Sequence, residues 1–144
     1  MKKYIFYIQI LILFIVYSCN NYDMSNDSVG YLKRLSPRST FSFIPLVDGN
    51  KIDSLYILQP YSYEDLKKRS FDIPPKIQNR LKTKASFDNI CVLIFIHDKR
   101  IIGFADVPRG AADFADISPA LFSINQLFYL DNQKKVKLFS RIKQ

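Results

Sequence analysis

Apolar residues are spaced in three ways along this chain, and each spacing predicts a different element. Two stretches are continuously apolar. From Tyr4 to Tyr17 no residue is charged, and Gln9 is the one strongly polar side chain. Ile90–Ile96 is a second, shorter run, of a length that suits a central strand buried on both faces. The polar tetrad His97-Asp98-Lys99-Arg100 and the apolar return Ile101–Val107 complete a predicted hairpin. The second spacing alternates, at Thr40–Ile44. Thr40–Ile44 reads as a first strand, closed by Pro45 and a turn at Asp48-Gly49-Asn50. Ser54–Leu58 reads as a second strand, ended by Gln59-Pro60.

The third spacing is helical. Ile73, Ile77 and Leu81 recur every four residues, and the missing N–H groups of Pro74 and Pro75 suit a first helical turn. Just before them, Ser62 and Asp65 have the spacing of a capping box. Glu64 and Asp65 at the start and Lys67, Lys68 and Arg69 at the end suit the dipole of a short helix over 63–69. After a loop through Asp113, Phe114, Asp116 and Pro119, residues 121–130 read mostly as strand. A turn at 131–134 precedes a last strand, with Val136, Leu138 and Ile142 on one side and Lys135, Lys137, Arg141 and Lys143 mostly on the other. Together these elements predict an α+β domain: a small, mainly antiparallel sheet of about five or six strands, with two short helices between strands 2 and 3.

Residues 20 to about 38, rich in Asn, Asp and Ser, show neither period. They read as a flexible tether, which as a random coil would reach roughly 25 Å. The organisation expected is a leader over 1–18, a tether over 19–38 and a single α+β domain over 39–144. Taking off the leader leaves 126 of the 144 residues, enough for one domain with a core of its own. The 9 Tyr and 12 Phe argue for a packed globule.

Lys2-Lys3, the uncharged run and the small Ser18 before Cys19 have the order of an export signal, and the run is short for a membrane span of about 20 residues. Val16-Tyr17-Ser18-Cys19 resembles the lipobox of bacterial lipoproteins, although that family more often has Leu in place of Val16 and a smaller residue in place of Tyr17. The resemblance implies a diacylglyceryl group on the Cys19 thiol, cleavage before Cys19, acylation with a palmitate-like chain, and a place in the bacterial cell envelope, facing out of the cytoplasm. A plain secretory signal and an uncleaved anchor are the alternatives. Asp53–Tyr61 and Val92–Lys99 resemble, more loosely, a group of small bacterial lipoproteins of uncharacterised function. In that group Trp stands where this chain has Ile52, and Gly where it has Lys99. The second resemblance implies the same compartment and an α+β domain, and no activity.

Charge and chemistry then take their meaning from the leader. Net charge is +8; the leader holds two of the 21 basic residues and none of the 13 acidic ones, so the rest carries 19 against 13. An export signal turns that excess away from nucleic acid and toward lipid headgroups, envelope polysaccharides or an acidic envelope protein. A solvated surface with no partner is the plain alternative. The densest candidate anion-binding set is Lys67, Lys68, Arg69, Lys76, Arg80 and Lys84. With Cys19 lipidated, Cys91 is the one thiol left, and its apolar neighbours predict a buried structural residue.

His97 is the single histidine, six residues from Cys91 on one predicted strand, and no nucleophile elbow, zinc set, calcium loop or phosphate-binding glycine loop accompanies it. No cofactor or metal is expected. The sequence favours a non-catalytic binding domain on a lipid anchor. The competing reading is a small envelope hydrolase using the loop carboxylates Asp106, Asp113 and Asp116 near Arg109, which requires them to converge.

Overall fold

The computed structural model describes residues 22–47, 52–118 and 120–139; the expected leader and Cys19 lie outside them. The strands, in chain order, are β1 (Ser39–Phe41), β2 (Ser54–Leu58), β3 (Ile90–His97), β4 (Arg100–Pro108), β5 (Leu121–Ser123), β6 (Phe128–Leu130) and β7 (Val136–Leu138). The helices are α1 (Ser25–Arg34), α2 (Tyr63–Lys67) and α3 (Pro75–Lys84), with a single 3-10 turn at Ile44–Leu46. The class is α+β, with two helices between the second and third strands.

The expected single sheet is two. Strands β4-β3-β2-β5 form one antiparallel sheet, and β1-β6-β7 form another. The predicted strand 121–130 is the point of crossing. Its ends pair in different sheets, and between them Gln126 N–H donates to the Ser123 carbonyl at 2.9 Å, turning the chain. The four-stranded sheet is thus the middle of three layers, with α2 and α3 on one face and the second sheet on the other. Strand β3 divides its side chains between two cores. Cys91, Leu93 and Phe95 enter the core between the sheets, and Val92, Ile94 and Ile96 enter the core under the helices. That is why its sequence is continuously apolar: both faces of the pleat are covered.

Local chemistry explains the remaining differences. Strand β1 stops at Phe41 because Pro45 sits in the first turn of the 3-10 segment, yet Phe43 stays fully buried and meets the rings of Tyr31, Phe41, Phe95, Phe114 and Phe128 at 5.6–6.5 Å. The capping box does not form. Ser62 Oγ donates to the Gln59 carbonyl at 2.7 Å, and Asp65 pairs with Lys68 at 3.0 Å. The β3–β4 turn places both Asp98 and Lys99 at positive φ (51° and 65°), the signature of a two-residue hairpin turn whose twist matches its strands.

The largest correction concerns residues 22–38, expected as tether. Residues 25–34 form α1, which packs on β4. Its apolar stripe is thin: Ser28 and Leu32 are fully buried, with Val29 and Tyr31 half-buried beside them. Tyr31 Oη donates to the Ser42 carbonyl at 2.8 Å, and Ser25 Oγ accepts from Asp106 N–H at 2.9 Å. The helix is held by the body of the domain rather than by its own propensity, so its composition alone reads as loop. Before it, residues 22–24 lie along the outer edge of β4 in parallel, with Phe104 N–H donating to the Tyr22 carbonyl (2.7 Å) and Met24 N–H to the Phe104 carbonyl (2.8 Å). Asp72 does the same four residues earlier on β4, beside Arg100. These two short additions cover an otherwise open sheet edge. At Gly103 the Met24 side chain packs closely against β4: a Cβ there would come within 2.8 Å of Met24 Sδ, so Met24 would have to shift.

Candidate functional site

The six basic candidates fall into two groups. Lys67, Lys68 and Arg69 lie at the end of α2 and just beyond it. Lys67 pairs with Glu64 at 3.1 Å and Lys68 with Asp65 at 3.0 Å, both one helical turn back and exposed. Such pairs contribute at most a few tenths of a kcal/mol, about 0.3–0.5, and leave little unbalanced charge. Arg69 is placed differently. Its guanidinium lies 6.0 Å from the centroid of the Tyr56 ring, whose hydroxyl burial pushes above its ordinary pKa. It stands between two open clefts, one of 360 Å³ beside Gln59, Ser62 and Ser118, and one of 450 Å³ beside Asp53, Phe71 and Lys99.

Lys76, Arg80 and Lys84 form the second group, one turn apart along α3. Arg80 bonds to Asp23, lies 3.6 Å from Asp106, and rests 4.6 Å over the Phe104 ring. Lys84 Nζ meets Asp106 at 2.9 Å. Burial alone would raise the Asp23 carboxyl, but hydrogen bonds from Ser25 and Arg80 outweigh it and hold that pKa low. Lys76 is exposed and makes no ion pair among the described residues. Asp23 is the partner that sequence reasoning missed. It is 57 residues from Arg80, in a stretch read as tether, and no periodicity links the two.

Of the loop carboxylates, Asp106 stands apart from the other two, which share Arg109 and Lys135 as charged neighbours. Asp106 shares the helix-covered face of β4 with Phe104, where Arg80 and Lys84 hold it. Asp113 is near Cys91, which faces the other core, and both its oxygens accept from Arg109, at 2.9 and 2.8 Å. Desolvation works against the charged Asp113, but the Arg109 bonds and the Ala115 N–H at 3.1 Å prevail and keep its pKa below the usual range. Asp116 lies 3.9 Å from Lys135, beside a shallow cleft of 260 Å³ that neither other carboxylate lines. An acid–base pair needs two carboxylates flanking one bond, and Asp106 is divided from the others by the sheet itself.

Cys91 is fully buried, and burial pushes its thiol up to about 11. His97 is only half-buried at the strand end, its Nδ1 3.3 Å from Asp53 Oδ2, so the two do not form a thiol–imidazole pair. Among the described residues no three His, Cys, Asp or Glu side chains come together to hold a metal ion, and no helix is long and apolar enough to cross a membrane. The chain matches no family model, no curated protein and no solved structure.

Proposed function

We propose that this chain is a lipid-anchored protein of the bacterial cell envelope, held through Cys19, whose α+β domain acts by binding an envelope protein or anionic polymer. One observation carries the reading: the order Lys2-Lys3, fourteen uncharged residues, Ser18 and Cys19. A diacylglyceryl group supplies two chains, which hold a protein stably where one chain does not. The placement of Asp106 supports a binding role over hydrolysis, since Arg80 and Lys84 hold it on the helix-covered face, away from Asp113 and Asp116.

The anchor is tested by growing cells with a palmitate analogue and comparing wild type with Cys19→Ala in the membrane fraction. Wild type takes the label and sediments with membranes; the variant loses the label and is released. Equal labelling of the two would refute the anchor, because buried Cys91 is the sole thiol left in the variant.

A further inference from the structure

Of the tether expected over 19–38, the residues from Tyr22 onward belong to the fold. Tyr22 is already bonded to β4, and only three residue steps separate it from Cys19. A chain spans at most about 3.6 Å per residue, so three steps reach roughly 11 Å, less than half the distance a free tether would give. If Cys19 carries lipid, some face of the folded domain must lie at the headgroups.

The geometry around Tyr22 selects that face. Residues 22–24 run parallel to β4, and α3 runs the same way: Asp72, just before it, pairs beside Arg100, Arg80 reaches Asp23 opposite Phe104, and Lys84 reaches Asp106. Traced backward from Met24 to Tyr22, the chain therefore heads toward the N-terminal end of α3, where Lys76 stands. Lys76 is one turn before Arg80 on the same stripe, exposed, and without an ion pair among the described residues. Exposed Lys82 adds a further positive charge on this helix, and among the described residues the acids paired with it are Asp23 and Asp106.

We infer that the Lys76–Arg80–Lys84 stripe of α3 rests on anionic lipid headgroups, with Lys76 as its principal contact. This rests on the anchor proposed above. The lipid keeps the protein at the membrane, and the basic helix sets which side of the domain faces it. The clefts on either side of Arg69 then lie off the anchoring stripe.

The test uses the full lipidated protein, purified in detergent and reconstituted into vesicles of phosphatidylcholine alone or with about 30 mol% phosphatidylglycerol, followed by brief lysine acetylation and mass spectrometry. In anionic vesicles at low salt, acetylation of Lys76 falls about fivefold relative to Lys137 in the second sheet, and it recovers at about 1 M salt, where charges are screened beyond about 3 Å. Equal modification of Lys76 in both vesicles, on protein whose N-terminal peptide carries the lipid mass, overturns the docking face and leaves the anchor standing. An N-terminal peptide with a free Cys19 thiol overturns the anchor and this inference together. Protection of Lys76 by an added anionic polysaccharide but not by anionic vesicles also overturns it, in favour of a polymer site.

Discussion

Replacing Leu32 with Ala asks whether residues 25–34 belong to the folded unit. Leu32 has no exposed surface and lies in the core shared with Phe43, Ala105 and Val107. The substitution removes three carbons' worth of burial, about 2.4 kcal/mol at ~0.8 kcal/mol per buried CH₂. The cavity left behind raises the expected loss to about 3–4 kcal/mol. Alanine is at least as good a helix former as leucine, so the loss reports packing alone. Against a total of about 5–15 kcal/mol for a domain of this size, it is a large fraction. The assay is equilibrium urea unfolding by circular dichroism, with Lys33→Ala on the exposed side of the same helix as control. The midpoint should fall sharply for Leu32→Ala and stay within about 0.5 kcal/mol for Lys33→Ala, with m unchanged in both. A Leu32→Ala loss under about 0.5 kcal/mol would refute the reasoning and return residues 25–34 to a tether.

The hairpin turn gives a prediction of opposite sign. Lys99→Gly relieves a non-glycine residue at φ 65° while keeping the Asp72 N–H bond to the residue 99 carbonyl, so stability should rise by about 0.5–1 kcal/mol; a fall would contradict the turn assignment. Acid should destabilise the domain in part through Asp113. Its pKa is lowered on folding, so its contribution is fully present above the unfolded value of 3.8 and is lost as pH falls through the folded value. Asp113→Asn should therefore be less stable than wild type at pH 7, with the gap closing toward about pH 3. Urea midpoints measured across that range check it, and a gap that stayed constant would show that ionisation of Asp113 is not the source.

Part of this was legible along the chain because it depends on neighbours in sequence. Residues 90–96 were readable as a strand because both faces of β3 are covered, which removes polar residues from consecutive positions, and the largely apolar segments 54–58 and 101–107 pair on either side of it. Pro74-Pro75 followed by Ile77 and Leu81 marked α3 for the same local reason. The export and acylation proposed for Met1–Cys19 rest on a linear pattern of the same local kind.

What only the tertiary structure decided involves partners far apart in sequence. Helix α1 exists because β4 and the Tyr31–Ser42 bond hold a stretch whose own composition favours loop. Two sheets replace one because the chain crosses between layers at Ser123–Leu127, and no period records which layer a short strand joins. The basic run from 67 to 84 looked like one patch. Folding pairs Lys67 and Lys68 with acids of α2, commits Arg80 and Lys84 to Asp23 and Asp106, and leaves Lys76 without an ion pair among the described residues. Charge is counted along a sequence, but its pairing is set by distance in the fold.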